Sequence, residues 1–150
     1  MPSLSIESPV GPLSVHESGG CITRLSWSDV GTDATPLLLE AQSQLQAYFA
    51  GQLQRFDLPL RLEVSPFVQQ VCTVMQAIGF GETRIYGDIA KELGAAAQPV
   101  GQACGANPIP VIIPCHRVLS ATGLGGFSGE CGSETKVALL VHEGAGGYLL

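Results

Sequence analysis

The residues able to do chemistry concentrate in one stretch, Asn107-Pro108-Ile109-Pro110-Val111-Ile112-Ile113-Pro114-Cys115-His116-Arg117-Val118. It sets a thiol beside an imidazole and a guanidinium at the end of an apolar run. Pro108, Pro110 and Pro114 fix φ and remove backbone donors, so the stretch is no helix and is expected to present Cys115 from a rigid, extended support. Rigid placement is what a nucleophile needs. The competing reading makes Cys115 a small buried hydrophobe following a Val111-Ile112-Ile113 strand, as most cysteines are. His116 and Arg117 are poor company for a sealed core. They suit a thiol whose pKa must fall before it attacks an electrophile.

Elements on both sides must hold that stretch in place. At the start, Leu4-Ser5-Ile6, Leu13-Ser14-Val15 and Leu25-Ser26-Trp27 alternate apolar and polar residues between Pro9-Val10-Gly11 and Ser18-Gly19-Gly20, which predicts an antiparallel meander. Thr35-Pro36 opens a helix with Leu38, Ala41, Leu45, Tyr48 and Phe49 on one face, stopped by Gly51. His16 and Trp27 read as a surface histidine and a packed aromatic. Gln52 to Val64, with Pro59 and mixed charge, reads as a connection between lobes. A second helix opens at Ser65-Pro66 and carries Phe67, Val71, Val74 and Ile78 at helical spacing.

The segment Glu82 to Gly94 predicts a short helix and a glycine turn, and Ala95 to Asn107 a further helix, which is helix-turn-helix spacing that a plain helical hairpin shares. The further helix is made almost wholly of small residues, with no Arg, Lys or Asn inside it to reach a base edge in a major groove. A thin helix suits a minor groove or close packing. Ser120 to Glu130 is a glycine-rich loop able to wall a pocket or to serve as a plain turn. A last helix opens at Ser133 and ends at His142-Glu143-Gly144, and Gly146 to Leu150 reads as a tail.

With 150 residues and 45% apolar content, the chain is long enough for a buried core in one domain or two small lobes. No membrane span and no signal peptide are expected, so the chain is read as cytoplasmic. Five widely spaced cysteines suggest neither a disulfide framework nor a metal cluster. The net charge of −6 weighs against a nucleic-acid partner, but its distribution softens that objection. Residues 1–64 hold three basic against seven acidic side chains and residues 65–150 four against six, and no acid lies between Glu92 and Glu130. The proposed site falls in that acid-free interval.

The run Asn107-Pro108-Ile109-Pro110 with Ile113-Pro114-Cys115-His116-Arg117-Val118 resembles the signature of the O6-alkylguanine-DNA alkyltransferases, also called methylated-DNA–protein-cysteine methyltransferases. The likeness is good over about the last ninety residues and looser over the first sixty. It implies an α+β fold: a small N-terminal α/β lobe (1–64), then a mainly helical, winged helix-turn-helix-like domain (65–150) carrying the reactive cysteine. It also implies irreversible, single-turnover transfer of an alkyl group from O6-alkylguanine to Cys115. His116 is then the base that deprotonates the thiol through water, and Glu143 orients it. Asn107 braces the turn, and Tyr86 supports flipping and protonates the leaving guanine. Pro110, Val118 and Ser128 match pocket positions, and Arg117 matches the motif as a substrate-side residue or as a structural ion-pair partner. The partner implied is double-stranded DNA carrying O6-alkylguanine, contacted in the minor groove, with no cofactor, metal, membrane or obligate protein partner and a monomeric protein.

Two departures stand out. Where the family usually has an arginine that fills the space left by the flipped base, this chain has Gln98 followed by Pro99, which offers hydrogen bonds but no charge. Arg84-Ile85 stands where a small hydroxyl residue commonly precedes the tyrosine, and Arg84 is a candidate phosphate contact. A damage-binding protein that flips without transferring is a second reading, opposed by the presence of Cys115. A Cys-His hydrolase is a third, opposed by the contiguity of the two residues and the lack of an oxyanion motif.

Overall fold

The computed structural model of the chain describes residues 2–121 and 133–145. The glycine-rich stretch expected to wall the pocket, Ser128 with it, and the tail from Gly146 lie outside these residues. The chain divides into two compact units, 1–63 and 64–150. Among the described residues, no helix is long and apolar enough to cross a membrane.

The first unit is the expected meander with one helix. Strands β1 (Ser3–Ile6), β2 (Leu13–Ser18) and β3 (Cys21–Ser26) pair antiparallel in the order β1-β2-β3, with Leu4 opposite Val15 and Val15 opposite Leu25. Helix α1 (Pro36–Phe49) starts where Thr35 accepts a hydrogen bond from the Leu38 amide, and Pro36 occupies a position whose N–H would be unpaired in any case. It packs on all three strands. Its Leu38, Leu45 and Tyr48 are fully out of water, as are Leu13, Val15 and Ile22 of the sheet, each contributing about 1.5–3 kcal/mol of burial. His16 is half-buried, with Nε2 3.0 Å from Ser26 Oγ. The segment read as a connection is partly absorbed into this unit, because the Pro59 carbonyl accepts from Ile22 N (2.8 Å) and Arg61 N donates to Ile22 O (3.0 Å). Pro59 has no N–H to give, so it joins the sheet edge through its carbonyl alone.

The second unit is mainly helical. Helix α2 (Pro66–Gln76), capped by Ser65, buries Val71, Cys72, Val74 and Met75. The helix expected from Glu82 begins only at Tyr86. Arg84–Ile85 instead forms strand β4, paired in parallel with β5 (Val118–Leu119). Glu82 closes a turn first, its side chain accepting from Gly79 N at 3.0 Å. Helix α3 (Tyr86–Leu93) ends at Gly94, whose φ of 66° lets Ala95 N reach back to Ala90 O at 2.8 Å. Helix α4 (Ala97–Gly105) follows, shorter than the expected 95–107 span, and packs on α2 and α3. Pro99 lies in its first turn, where the missing N–H breaks no helical bond. Helix α5 (Ser133–Glu143) closes the described chain.

Candidate active site

The proline-rich stretch folds as tight turns, and the expected extended strand is not what forms. Asn107 explains why. Its Oδ1 accepts from Ile109 N and its Nδ2 donates to Ile113 O, both at 2.9 Å, so the amide clamps the loop from inside. Ile113 N returns to Ile109 O at 2.9 Å, and Val111 between them takes a φ of 72°, a left-handed conformation costly for a β-branched residue. Side-chain and backbone bonds on both sides of Val111 hold it there. Every residue from Ile109 to Leu119 is buried.

Cys115 therefore sits in a one-turn 3-10 helix, Cys115–Arg117, between that clamped loop and β5. Successive side chains in such a turn diverge by about 120°. His116 accordingly turns to Glu143, with Nε2 2.7 Å from Oε2. Arg117 forks onto the same carboxylate, Nε to Oε1 and Nη2 to Oε2 at 2.9 Å each, and gives Nη1 to Ile78 O at 2.6 Å. Gly81 N also donates to Glu143 Oε1 at 3.3 Å. A carboxylate only accepts, so Nε2 carries the proton of a neutral His116 and Nδ1 keeps its lone pair. Nδ1 is buried and has no hydrogen-bond partner among the described residues.

Burial dominates the electrostatics. It raises the Cys115 thiol to about 11, against the downward pull of an Asn107 hydrogen bond and the Lys136 charge. The neighbours therefore do not make a resting thiolate, which corrects the expectation drawn from His116 and Arg117: Arg117 is spent on Glu143, and desolvation outweighs the rest. His116 is held below the usual imidazole range by its own burial, which outweighs the raising influence of Glu143. The resting pair is a neutral thiol and a neutral imidazole.

Cys115, His116, Arg117, Glu143 and Asn107 thus meet in one buried network, with Pro110 and Val118 buried in the same segment. The reading of Arg117 as a substrate-side residue gives way to the ion-pair one, since its guanidinium is enclosed and committed. Tyr86 opens α3, half-buried. Gln98 is exposed in the first turn of α4, outside the network. Arg84 lies 2.9 Å from Glu92 with its side chain 32% exposed, so any phosphate would compete with that carboxylate. Sequence reasoning missed Lys136. It is fully buried, donates from Nζ to Val118 O at 2.6 Å and lies 5.7 Å from the centre of the Tyr86 ring. The signal was present: Lys136, Leu139, Leu140 and Glu143 fall on one helical stripe, and all four are buried.

A helix pair joined by a tight glycine turn stands in one unit with a buried thiol and an imidazole oriented by Glu143, the arrangement that a DNA-binding protein with a reactive cysteine would use. Residues 66–145 match the 6-O-methylguanine DNA methyltransferase DNA binding domain, and residues 4–62 the ribonuclease-like domain of the same family. The chain belongs to the 6-O-methylguanine DNA methyltransferase family. It is 44% identical over 150 residues to the methylated-DNA--protein-cysteine methyltransferase of Mycobacterium bovis, covering 93% of this chain and 90% of that protein. It is 38% identical over 145 residues to the constitutive enzyme of that name from Bacillus subtilis, with 87% of each covered. The fold matches the crystal structure of Mycobacterium tuberculosis OGT in complex with DNA at a TM-score of 0.87 and 40% identity, covering 99% of this chain and 98% of the other.

Proposed function

We propose that this protein repairs DNA directly, by moving an alkyl group from O6 of guanine onto Cys115, where it stays. The observation that carries this reading is the buried Cys115 beside a His116 whose Nε2 is fixed on Glu143. The Cys115 proton passes through a water to His116 Nδ1, Sγ attacks the alkyl carbon, the carbon–O6 bond breaks, and the guanine takes up a proton, with Tyr86 as donor. The thioether formed is not turned over, so each molecule acts once. Because the thiol is enclosed, the guanine must leave the stack to reach it. Asn107 braces the turn; Pro110 and Val118 line the base pocket; Gln98 and Arg84 contact the DNA. We assign DNA contact and transfer to residues 65–150 and no chemical step to 1–64.

The partner is double-stranded DNA holding O6-alkylguanine, approached through the minor groove by the thin α4. Cys21, Cys72, Cys104 and Cys115 are free thiols, which suits the reducing cytoplasm, and we read the protein as a monomer. Incubation with an O6-methylguanine oligonucleotide, followed by intact mass, should show one permanent methyl adduct. Cys115→Ser should bind the same DNA and gain no mass. Methyl transfer by that variant, or binding without transfer by the native protein, would overturn the assignment.

A further inference from the structure

Glu143 is held from two sides, and the second has no part in the scheme above. His116 and Arg117 reach its carboxylate from the Cys115–Arg117 turn. From the other side comes the segment between α2 and β4, which gives backbone groups to both members of the ion pair. The Gly81 N–H donates to Glu143 Oε1 at 3.3 Å, and the Ile78 carbonyl accepts from Arg117 Nη1 at 2.6 Å. Between them in sequence, the Phe80 ring centre lies 5.9 Å from Arg117 Cζ and 6.2 Å from the centre of the His142 ring. The direction of the carboxylate that orients His116 thus depends on the backbone conformation of residues 78–81.

That conformation is not one the local sequence would keep unaided. Gly79 and Gly81 both lie in it, and glycine visits backbone conformations closed to other residues. Gly81 takes a φ of 79°, and a Cβ there would come within 3.2 Å of the Glu143 carbonyl oxygen. Glu82 supplies the restraint that the glycines lack. Its N–H donates to Gly79 O at 3.0 Å and its Oε1 accepts from Gly79 N at 3.0 Å, so one residue closes the 79–82 turn through backbone and side chain together. A charged acceptor makes the stronger hydrogen bond. A Cβ at Gly79 would stand 2.8 Å from that Oε1 and displace the carboxylate, so the clamp and the glycine suit each other. Glu82 is itself exposed, and burial does not account for its place.

Resting on the alkyl-transfer reading, we propose that Glu82 is a positioning residue for the transfer: by closing the 79–82 turn it directs the Gly81 amide and the Ile78 carbonyl at the Glu143–Arg117 pair, and through that pair it sets the ring of His116. Glu82 touches neither Cys115 nor His116. Its effect passes along the backbone to Gly81 N and Ile78 O, then to the carboxylate and guanidinium, then to His116 Nε2, 2.7 Å from Glu143 Oε2. With Nε2 fixed there, Nδ1 is left to take the thiol proton. Freed from the clamp, the two glycines let the turn wander, the carboxylate loses a fixed donor, and the imidazole follows its partner. A shift of about 1 Å in a reacting group can cost on the order of a hundredfold in rate, so a small displacement is enough to matter.

The test compares the native protein with Glu82→Ala, which removes the acceptor for Gly79 N, and Glu82→Gln, whose amide oxygen keeps one and removes only the charge. Near-UV circular dichroism shows that each variant is folded. Transfer from free O6-benzylguanine is then followed against its concentration, which separates the limiting rate from the half-saturating concentration and involves no DNA. Glu82→Ala should lose about tenfold in limiting rate at an unchanged half-saturating concentration, and Glu82→Gln should restore most of it. The second readout is the proton on His116 Nε2, observed directly by NMR as a downfield resonance. It should move in Glu82→Ala and stay in place in Glu82→Gln. A folded Glu82→Ala with a lower thermal midpoint but a native rate and an unmoved resonance would overturn the proposal, leaving Glu82 a plain turn closure. Equal changes in duplex binding for both variants, with native rates on the free base, would also overturn it, since Glu82 would then act as a surface charge. A native protein inert towards benzylguanine whose resonance still moves in Glu82→Ala would overturn the transfer reading instead, and keep the clamp.

Discussion

Arg117 and Glu143 meet as a two-pronged ion pair, Nε on Oε1 and Nη2 on Oε2 at 2.9 Å, with side chains only 7% and 0% exposed. The pair fixes the plane of the carboxylate, and that plane directs Oε2 at His116. The positive charge is part of the site's geometry and does not face the DNA. Removing the acid would strand a buried guanidinium, so Glu143→Ala should lose about 3–5 kcal/mol in denaturant unfolding. A loss under about 1 kcal/mol, the range of exposed pairs, would mean that the pair is solvated in solution.

Burial holds His116 below its ordinary 6.5, which gives a sign to the pH dependence. A protonated imidazole cannot take the thiol proton, so transfer from free O6-benzylguanine should stay level as pH falls through 6.5 and decline only below it. Stability moves in the same direction. The unfolded chain protonates this histidine first, so the folded state loses ground as pH drops from the unfolded value towards the depressed one. An inflection in rate at or above the ordinary imidazole value would contradict a buried, neutral base.

Much of this was legible in the sequence, and for identifiable reasons. Thr35-Pro36 and Ser65-Pro66 gave both helix starts, because a hydroxyl cap and a proline in the first turn are local chemistry. The Pro-Cys-His-Arg run marked the segment in which the structure buries a thiol and orients an imidazole on Glu143. What failed depended on contacts distant in the chain. Arg84–Ile85 became a strand because Val118–Leu119 lies beside it, and Arg117 turned inward because Glu143 waits 26 residues later. The thiol's pKa was misjudged for the same reason: adjacent cations are visible in a sequence, and the depth of burial is not.

Gln98 occupies the first turn of α4, exposed, with Pro99 next to it and the helix intact. Gln98→Arg adds one cation where phosphates would pass, so it should tighten duplex binding and steepen the salt dependence by about one unit of slope. The gain in transfer rate should appear on duplex substrate and not on free O6-benzylguanine, where no stack is opened. Equal changes on both substrates, or none on either, would remove position 98 from base extrusion.

The last prediction concerns the face of α4 itself. A Cβ added at Gly101 or Gly105 would meet nothing within 4 Å, so packing inside the protein does not require either glycine. Gly101, inside the helix, costs it about 0.5–1 kcal/mol relative to alanine, because glycine loses more backbone freedom on folding, and Gly105, its last residue, costs less. A residue that weakens its own helix for no internal reason is accounted for by something outside that must come close, and a DNA backbone on a thin helix is such a neighbour. Gly101→Ala and Gly105→Ala should therefore raise the thermal midpoint while weakening duplex binding. Transfer from free O6-benzylguanine should be unchanged, since neither position belongs to the Cys115 network. Stabilised variants that bind duplex DNA as tightly as the native protein would show that α4 does not approach the backbone along this face.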